Sequence, residues 1–510
     1  MFRIRLAPRR QLGLAVCLSV LTLISSHAAA KSADQPKLTY HLTYSLETPN
    51  LVHISIQLPQ PATDPQPLTL IMPRSVPGNY AQRPYDPFVS NVKAFSESAP
   101  HASKNDVVPV DRDEFGPRWT LGKRTSPPAA ITRIEYDVDV AKMERDILFS
   151  SDTSKIREGY VGLLGYTVFA FLEDHENLPI QLEIQTPANW PVFSTLAPQV
   201  PAATTTFTTK AANYYALADS QITLGPKIQI SKRDAATPNS PTLFVSLYAE
   251  RASDIAVDAA LARDALDKVT AYFGSAPFSH YSAVIEYLKP LPPPHVYNFS
   301  MEHLESGTFF MDTDYVMTEA SPPQYKEGDR FNYAHHIAHS WIPKRCYGAG
   351  YLPFNWEMTP VIDTIWFNEG FGRYAAIEAI AQGLPPQEAA AFRAQQLARL
   401  RQILDTAPPF LRNMPLDVLS REASFLYASD FRTGMNVFAR GALMAAEMDN
   451  EIRTKTAGKK SLQDALQALL AWSAQNHRAF QIKEMLNIFH AATNVDVQDI
   501  LNTWMHPPTN

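Results

Sequence analysis

The amino-acid sequence predicts a multidomain α+β protein with an N-terminal antiparallel β domain, a mixed α/β region and a C-terminal helical domain. The chain has 510 residues, more than one hydrophobic core usually holds, so several domains are expected. Up to about residue 230 the apolar residues favour strands, whereas after residue 386 they recur at the helical period. We place the three domains at residues 31–250, 251–385 and 386–510.

The segment from Met1 to Ala30 has the pattern of a secretory signal peptide. It starts with a cluster of arginines: Arg3, Arg5, Arg9 and Arg10. An apolar stretch from Leu12 to Ile24 follows, short for a membrane span, and then Ala28, Ala29 and Ala30. We therefore expect a periplasmic or secreted protein with no membrane span after signal removal. An uncleaved N-terminal anchor is the alternative.

Composition indicates an ordinary globular protein. Hydrophobic residues make up 45% and charged residues 19%, with a net charge of −6. No basic tract is present, so no nucleic-acid partner is expected. Cys17 lies in the signal segment, which leaves Cys346 alone, and no intramolecular disulfide is expected.

The N-terminal part shows strand patterns separated by prolines and by Asn, Asp and Ser clusters. The predicted strands are Leu38–Leu46, Val52–Leu58, Leu68–Met72, Ile131–Val140 and Ile180–Gln185. The middle region starts with a predicted helix from Ile255 to Phe273, ended by Gly274. Two strands and two helices are expected after it: Tyr281–Leu288, Gly307–Met311, Tyr333–Trp341 and Trp366–Ala381.

The C-terminal part shows a 3.6-residue rhythm of apolar residues. The predicted helices are Gln387–Leu404, Met435–Arg453, Ser461–Ala474 and Phe480–Ala491. Ser461 and Asp464 have the spacing of a helix N-cap pair.

The segment from Tyr333 to Trp341 carries three histidines. His335 and His339 stand four residues apart, so on a helix their rings point to the same side and can take two corners of a zinc tetrahedron. A solvated polar helix face is the alternative for a short motif of this kind.

A third ligand is offered by Glu369, which lies among large apolar residues on the next predicted helix. Burying an acid there is costly unless it is paired or bound to metal. Two histidines and one glutamate leave a fourth position open, as in catalytic zinc sites. A glutamate facing water at a helix end is the alternative.

These blocks resemble the zinc signature of the glycyl aminopeptidases, gluzincins related to aminopeptidase N and thermolysin. The resemblance rests on His335-His336-Ile337-Ala338-His339-Ser340-Trp341, Lys344-Arg345 and Trp366-Phe367-Asn368-Glu369-Gly370-Phe371. It implies a thermolysin-like zinc domain, with His335, His339 and Glu369 as metal ligands and Zn²⁺ as cofactor. Peptide or protein N-termini are the partners it implies.

Other segments extend the resemblance over most of the mature chain. Ser300-Met301-Glu302-His303 is similar to the family segment whose glutamate binds the substrate amino group, which implies a substrate-binding role for Met301 and Glu302. Phe438-Ala439-Arg440-Gly441-Ala442-Leu443 and Val76-Pro77-Gly78-Asn79-Tyr80 also match. Family members often carry a PDZ-like domain after the helices, and we expect none here.

Two positions depart from the family pattern. His336 stands where the family has the glutamate that takes a proton from the metal-bound water, and Phe438 stands where it has a tyrosine that stabilises the oxyanion. A neutral histidine can act as a base, or His336 can compete as a ligand. Tyr427 lies nearby in sequence and offers a substitute hydroxyl.

Three functions are compatible with this pattern. The first is zinc binding, and perhaps binding of peptide N-termini, with weak or no peptidase activity, which the two departures favour. The second is an active aminopeptidase that removes small N-terminal residues, and the third is a metal-free scaffold or interaction protein.

Overall fold

The computed structural model describes residues 36–506, apart from 63–66, 97–105, 123–129, 188, 202–203, 236 and 238. The predicted signal segment lies outside the described residues. Within them, the structure forms four β-sheets followed by a long helical region. This arrangement confirms the predicted α+β class with an N-terminal β domain, a mixed middle part and a helical C-terminal part.

The N-terminal domain is built from strands in three sheets. Its strands are β1 (Leu38–Thr43), β2 (Leu51–Ala62), β3 (Leu68–Ile71), β4 (Val89–Ser96), β5 (Asp106–Val108), β6 (Val110–Arg112), β7 (Arg118–Leu121), β8 (Ile131–Asp139), β9 (Lys155–Arg157), β10 (Tyr160–Leu164), β11 (Phe171–Leu172), β12 (Ile180–Gln185), β13 (Val192–Ser194), β14 (Thr206–Ala211) and β15 (Gln221–Leu224). The sheet orders are β14-β12-β1-β2-β8-β4-β5, β13-β15-β10-β9 and β11-β3-β7-β6. The pairing is antiparallel as predicted, except that β1 and β12 run parallel.

A fourth sheet belongs to the middle part of the chain. Its strands are β16 (Gln229–Arg233), β17 (Thr242–Ala249), β18 (His280–Leu288), β19 (Phe299–Glu302) and β20 (Ser306–Asp312), in the order β16-β17-β18-β20-β19. β18 pairs in parallel with β17 and β20, whereas the edge strand β19 runs antiparallel to β20. β16 and β17 precede residue 251 in the chain but belong to this sheet.

The helices lie mainly in the second half of the chain. They are α1 (Val140–Asp146), α2 (Gly165–Val168), α3 (Tyr214–Ala218), α4 (Ile255–Phe273), α5 (Pro323–Ala338), α6 (Gly372–Gln382), α7 (Pro386–Thr406), α8 (Pro409–Arg412), α9 (Leu416–Leu426), α10 (Phe431–Lys455), α11 (Leu462–Asn476), α12 (Ile482–Thr493) and α13 (Gln498–Met505). A π-helix at Trp366–Phe371 leads directly into α6. The predicted capping pair is present: the Ser461 and Asp464 side chains form a capping box on α11.

Two large hydrophobic cores hold the described residues together. One fills the β domain, and it also includes Met301, Phe310 and Trp356 from the later part of the chain. The other contains Tyr80 of the β domain and buried residues from Leu243 to Met505, without a break at residue 385. The zinc-type and helical parts predicted as separate domains therefore share one core, since their helices pack on each other.

None of the helices in the described part of the chain combines the length and the apolar character that a bilayer span needs. Cys346 is buried and forms no disulfide.

Candidate metal centre

Helix α5 presents His335 and His339 to the interior. The helix starts at Pro323, well before the predicted start at Tyr333, with a proline at its first position, where the missing N–H costs nothing. His335 is 7% exposed and His339 is fully buried. The four-residue spacing brings their Nε2 atoms within 3.3 Å of each other, as the sequence predicted.

Glu369 reaches the same point from the π-helix. Its Oε2 lies 3.5 Å from Nε2 of His339 and 3.8 Å from Nε2 of His335. The π-helix crosses α10 at very short range, because a Cβ added to Gly441 would lie 2.0 Å from the carbonyl oxygen of Trp366. This contact between backbones fixes the depth at which Glu369 enters the site.

Two of the three distances between the candidate ligand atoms fall in the range of a zinc tetrahedron, and the third, 3.8 Å between His335 and Glu369, is slightly longer. Zinc bonds of about 2.0–2.2 Å in a tetrahedron place neighbouring ligand atoms about 3.3–3.6 Å apart. The observed separations of 3.3, 3.5 and 3.8 Å allow one point about 2.1 Å from all three atoms. The structure therefore brings His335, His339 and Glu369 together in a geometry that fits the ion.

The tautomer of His339 also suits a metal ligand. Its Nδ1 lies 2.8 Å from the carbonyl oxygen of Ile342, which only accepts, so Nδ1 carries a proton and Nε2 is the nitrogen that binds a metal ion once it has released its own proton. The Nδ1 atom of His335 is buried and has no hydrogen-bond partner among the described residues.

Glu302 ends the edge strand β19 and lies beside one of the three candidate ligands, His339. Its side chain is buried, and a Cβ added to Gly78 of the β domain would lie 2.3 Å from its Oε1. Gly78 has a φ of +97°, which a larger residue would rarely adopt. Met301, next to Glu302, points instead into the β-domain core, where its sulfur lies 3.6 Å from the Tyr166 hydroxyl.

His336 turns towards Glu302. Its Nδ1 lies 3.8 Å from Oε2 of Glu302, and its ring packs edge-on against Phe309. The ligand atoms of Glu302, His336 and His339 also lie within 4.8 Å of one another, so a second group of possible metal ligands shares His339 with the first. This group corresponds to the alternative, open from the sequence, in which His336 competes as a metal ligand.

Phe438 lies on α10 against the other side of the histidines. Its ring packs edge-on against His335 with ring centroids 5.6 Å apart. The guanidinium carbon of Arg373 lies over the same ring, 4.5 Å from its centroid. The position of the family tyrosine is therefore close to the candidate metal ligands but lacks a hydroxyl.

Two phenols come close to this site. Tyr427 is the residue that the sequence offers as a substitute for the hydroxyl missing at Phe438. Its ring centroid lies 5.4 Å from that of Tyr80 in the β domain. The Tyr80 hydroxyl accepts a hydrogen bond from Nδ2 of Asn368, at 3.3 Å. Burial raises the pKa of both tyrosines well above the usual value, and the charges of Glu369 and Glu302 raise it further. Both phenols therefore stay protonated and can donate.

A buried ionic network supports the Glu302 side. Asp219 of the β domain accepts from Nδ1 of His303 at 2.9 Å, from the backbone N–H of Leu304 at 2.8 Å and from Nζ of Lys344 at 3.2 Å. Burial lowers the pKa of Lys344, but Asp219 outweighs this and the pKa is raised overall. The network ties β19 and the segment after α5 to the β domain.

The electrostatics of the site favour a cation among the two carboxylates. Burial lowers the pKa of His339, but Glu302 and Glu369 outweigh it and raise the pKa to about 9. Burial lowers the pKa of His335, as do the neighbouring histidines, and burial also lowers that of His336. Burial raises the pKa of Glu302, but His339, His336 and Lys344 hold it at about 2. The paired acids thus create a negative potential at the point where the ligand atoms meet.

Several residues near the site were not predicted from the sequence. Tyr80, Asn368, Arg373 and the partners of Asp219 approach it from elements far apart in the chain. Tyr80 falls in a segment that resembles the family, which is the one sequence signal that pointed to it.

Comparisons with known proteins agree with this architecture. Residues 39–226 match the family model of the Peptidase M61 N-terminal domain. An aminopeptidase N family protein from Idiomarina loihiensis has a similar solved structure, 17% identical, with a TM-score of 0.77, covering 93% of this chain and 76% of that one. An M1 zinc metallopeptidase from Deinococcus radiodurans is 15% identical, with a TM-score of 0.52, covering 94% of this chain and 95% of that one.

No curated protein matches the chain by sequence. The structural likenesses show that the chain shares the fold of these M1 proteins, and residues 39–226 are similar to the N-terminal domain of the M61 peptidases.

Proposed function

We propose that this chain is an exported zinc-binding protein of the glycyl aminopeptidase type that binds peptide N-termini and hydrolyses peptides weakly or not at all. The convergence of the ligand atoms of His335, His339 and Glu369 at zinc distances carries the proposal. The signal-like segment from Met1 to Ala30 supports export.

In this proposal His335, His339 and Glu369 hold zinc, which when bound polarises a carbonyl group and activates a water molecule. The Ile342 carbonyl keeps the proton of His339 on Nδ1, away from the metal. Glu302 accepts hydrogen bonds from the ammonium group of the peptide, and its Oε1 has no partner among the described residues.

Weak hydrolysis follows from two side chains. His336 faces Glu302, and a proton gained by its imidazole would be repelled by a neighbouring metal cation. Phe438 has no hydroxyl to donate to an oxyanion. Loss of a general base costs roughly 10²–10⁴ in rate, and loss of an oxyanion donor costs on the order of 10²–10³.

An active aminopeptidase is the second candidate. The protonated phenols of Tyr427 and Tyr80 favour it, because both lie close enough to Glu369 and Glu302 for these charges to raise their pKa values. Either phenol would supply the oxyanion donor that Phe438 lacks, and His336 would serve as the base.

Metal analysis of the purified protein in zinc-replete buffer is the first test. We expect about one zinc per chain. A stoichiometry near zero would overturn both candidates and leave a metal-free scaffold. Turnover of glycyl and alanyl anilides then separates them, because a fast parent protein would contradict the proposal of weak hydrolysis.

Restoring the family residues gives the sharper experiment. We expect the double variant His336→Glu and Phe438→Tyr to gain aminopeptidase activity over an inactive parent. His490→Glu with Phe410→Tyr is a matched control, since both side chains are exposed and distant in sequence from the site. An unchanged rate in the restored variant, with zinc bound, would show that the two replacements are not what limits hydrolysis.

A further inference from the structure

Arg373 is a cation near the candidate metal centre that forms no ion pair among the described residues. It lies on α6, four residues after Glu369, so both side chains leave neighbouring turns on the same side. Its Nε atom is buried and has no hydrogen-bond acceptor in the described part of the chain. A buried donor of a charged group without an acceptor is costly, which points to a ligand that completes it.

Two aromatic rings hold the guanidinium in place. Its central carbon lies 4.6 Å from the ring centroid of Phe331 on α5 and 4.5 Å from that of Phe438 on α10. Contacts of this kind stabilise a cation but leave the N–H groups in its plane unused. Burial lowers the pKa of Arg373 to about 10, so the group remains charged at neutral pH.

The ring of Phe438 contacts both the guanidinium of Arg373 and the ring of His335, a candidate metal ligand. The ring centroid of Phe438 lies 4.5 Å from the guanidinium carbon of Arg373 and 5.6 Å from the ring centroid of His335. Glu302, in contrast, lies beside His336 and His339. The acid and the cation are therefore near different histidines of the candidate metal centre.

We propose that Arg373 binds the free C-terminal carboxylate of a short peptide whose amino group is held by Glu302. The inference rests on the proposed function and names its ligand class: dipeptides and peptides of similar length. An extended residue spans about 3.3–3.6 Å, so a carboxylate next to Arg373 lies about one or two residues beyond a carbonyl at the metal ligands. The planar guanidinium can hold a carboxylate with two parallel hydrogen bonds.

The test compares binding of alanyl-alanine with that of alanyl-alanine amide to the zinc-loaded full chain, by calorimetry. We expect the free acid to bind on the order of 10–100-fold more tightly, the range of a charge-assisted hydrogen bond. In Arg373→Met the difference should vanish, whereas Arg401→Met, at an exposed arginine on α7, should keep it.

Equal affinities of the parent for acid and amide would overturn the carboxylate proposal and leave the proposed zinc site intact. Absence of binding by either probe would overturn the carboxylate proposal together with peptide binding. A preference that persists in folded Arg373→Met would assign the carboxylate to another group. The comparison in the parent decides the matter even where the variant does not fold.

Discussion

The Tyr427 phenol is one of the two hydroxyls near this site, with that of Tyr80, proposed to replace the one missing at Phe438. Its ring contacts the Tyr80 ring. The charges of Glu369 and Glu302 raise the pKa of the phenol, whereas the charge of Arg373 lowers it. Because burial keeps the phenol protonated, it is a donor over the whole neutral range.

If hydrolysis of alanyl anilides is measurable, we expect Tyr427→Phe to lower kcat by about 10²–10³-fold, since one oxyanion donor is lost. KM should change little. Tyr325→Phe is the control, because Tyr325 is 58% exposed on the outer part of α5. Equal rates for Tyr427→Phe and the parent would show that Tyr427 is not the oxyanion donor, which would leave Tyr80 or no phenol in that role.

For the metal ligands we expect Glu369→Gln to weaken zinc binding by more than the roughly 10–100-fold typical of losing an outer hydrogen-bond partner. The amide keeps the size of the side chain but removes the charge that faces His339 and His335. Competition with a chelator measures the affinity. Glu388→Gln, exposed on α7, should bind zinc like the parent, and a similar value for both variants would exclude Glu369 as a ligand.

Among individual residues, the sequence predicted those site residues whose proximity follows from their spacing along the chain. The four-residue interval of His335 and His339 fixes their convergence once α5 forms, and Glu369 was expected among apolar neighbours. Arg373 could not be predicted as a neighbour of Phe438, because that contact joins residues far apart in the chain through the packing of α6 on α10.

Among the elements, the crossing of the π-helix and α10 sets the position of both Glu369 and Phe438. Gly370 and Gly441 meet there, and a Cβ on Gly370 would lie 2.4 Å from Cα of Gly441. Backbone faces backbone, so neither side can give way by rotating a side chain.

We expect Gly441→Ala to lower the free energy of unfolding by about 1–3 kcal/mol, the usual cost of overpacking. Zinc affinity should fall with it, because Glu369 is displaced. Gly328→Ala is the matched control in α5, where a Cβ meets nothing within 4 Å, and it should raise stability by about 0.5–1 kcal/mol. Chemical denaturation measures both; a Gly441→Ala protein as stable as the parent would contradict the close packing.

The elements themselves were predicted unevenly. The helix Ile255–Phe273 has the predicted bounds, because Asp254 caps its start and Gly274 ends it. The N-terminal half of α5 was missed, since its residues are mostly exposed and carry no apolar stripe. The π-helix was predicted as ordinary helix because its extra residue per turn leaves no pattern in so short a segment.

On the scale of the whole molecule, two neighbouring acids, the buried Asp258 and the half-buried Asp329, link stability to pH. Asp258 on α4 accepts hydrogen bonds from the hydroxyls of Tyr287 and Tyr333, at 2.9 and 3.0 Å, and so joins α4 to β18 and α5. Burial raises its pKa to about 7. Burial and the charge of Asp258 raise the pKa of Asp329 to about 7 as well.

Between about pH 4 and pH 7 the folded chain therefore holds protons on these carboxyl groups that the unfolded chain has released. Their contribution to the free energy of unfolding thus decreases as the pH rises through this range. We expect Asp258→Asn, which keeps the acceptor oxygen, to gain in melting temperature relative to the parent from pH 5 to pH 8. Asp314→Asn, at an exposed position, should show a constant difference. If the difference in melting temperature between Asp258→Asn and the parent does not change with pH, the Asp258 carboxyl does not contribute to the pH dependence of stability.

The contact of Gly78 with Glu302 has a consequence for how the polypeptide can be divided. The β-domain loop that contains Gly78 covers one side of Glu302. Asp219, also in the β domain, accepts a hydrogen bond from the backbone N–H of Leu304, just after the strand that carries Glu302. A fragment starting at residue 227 would retain all three candidate zinc ligands but would leave Glu302 open to bulk water. The ammonium recognition that we propose for Glu302 would thus need both halves jointly, and neither half would inherit it after cleavage between them.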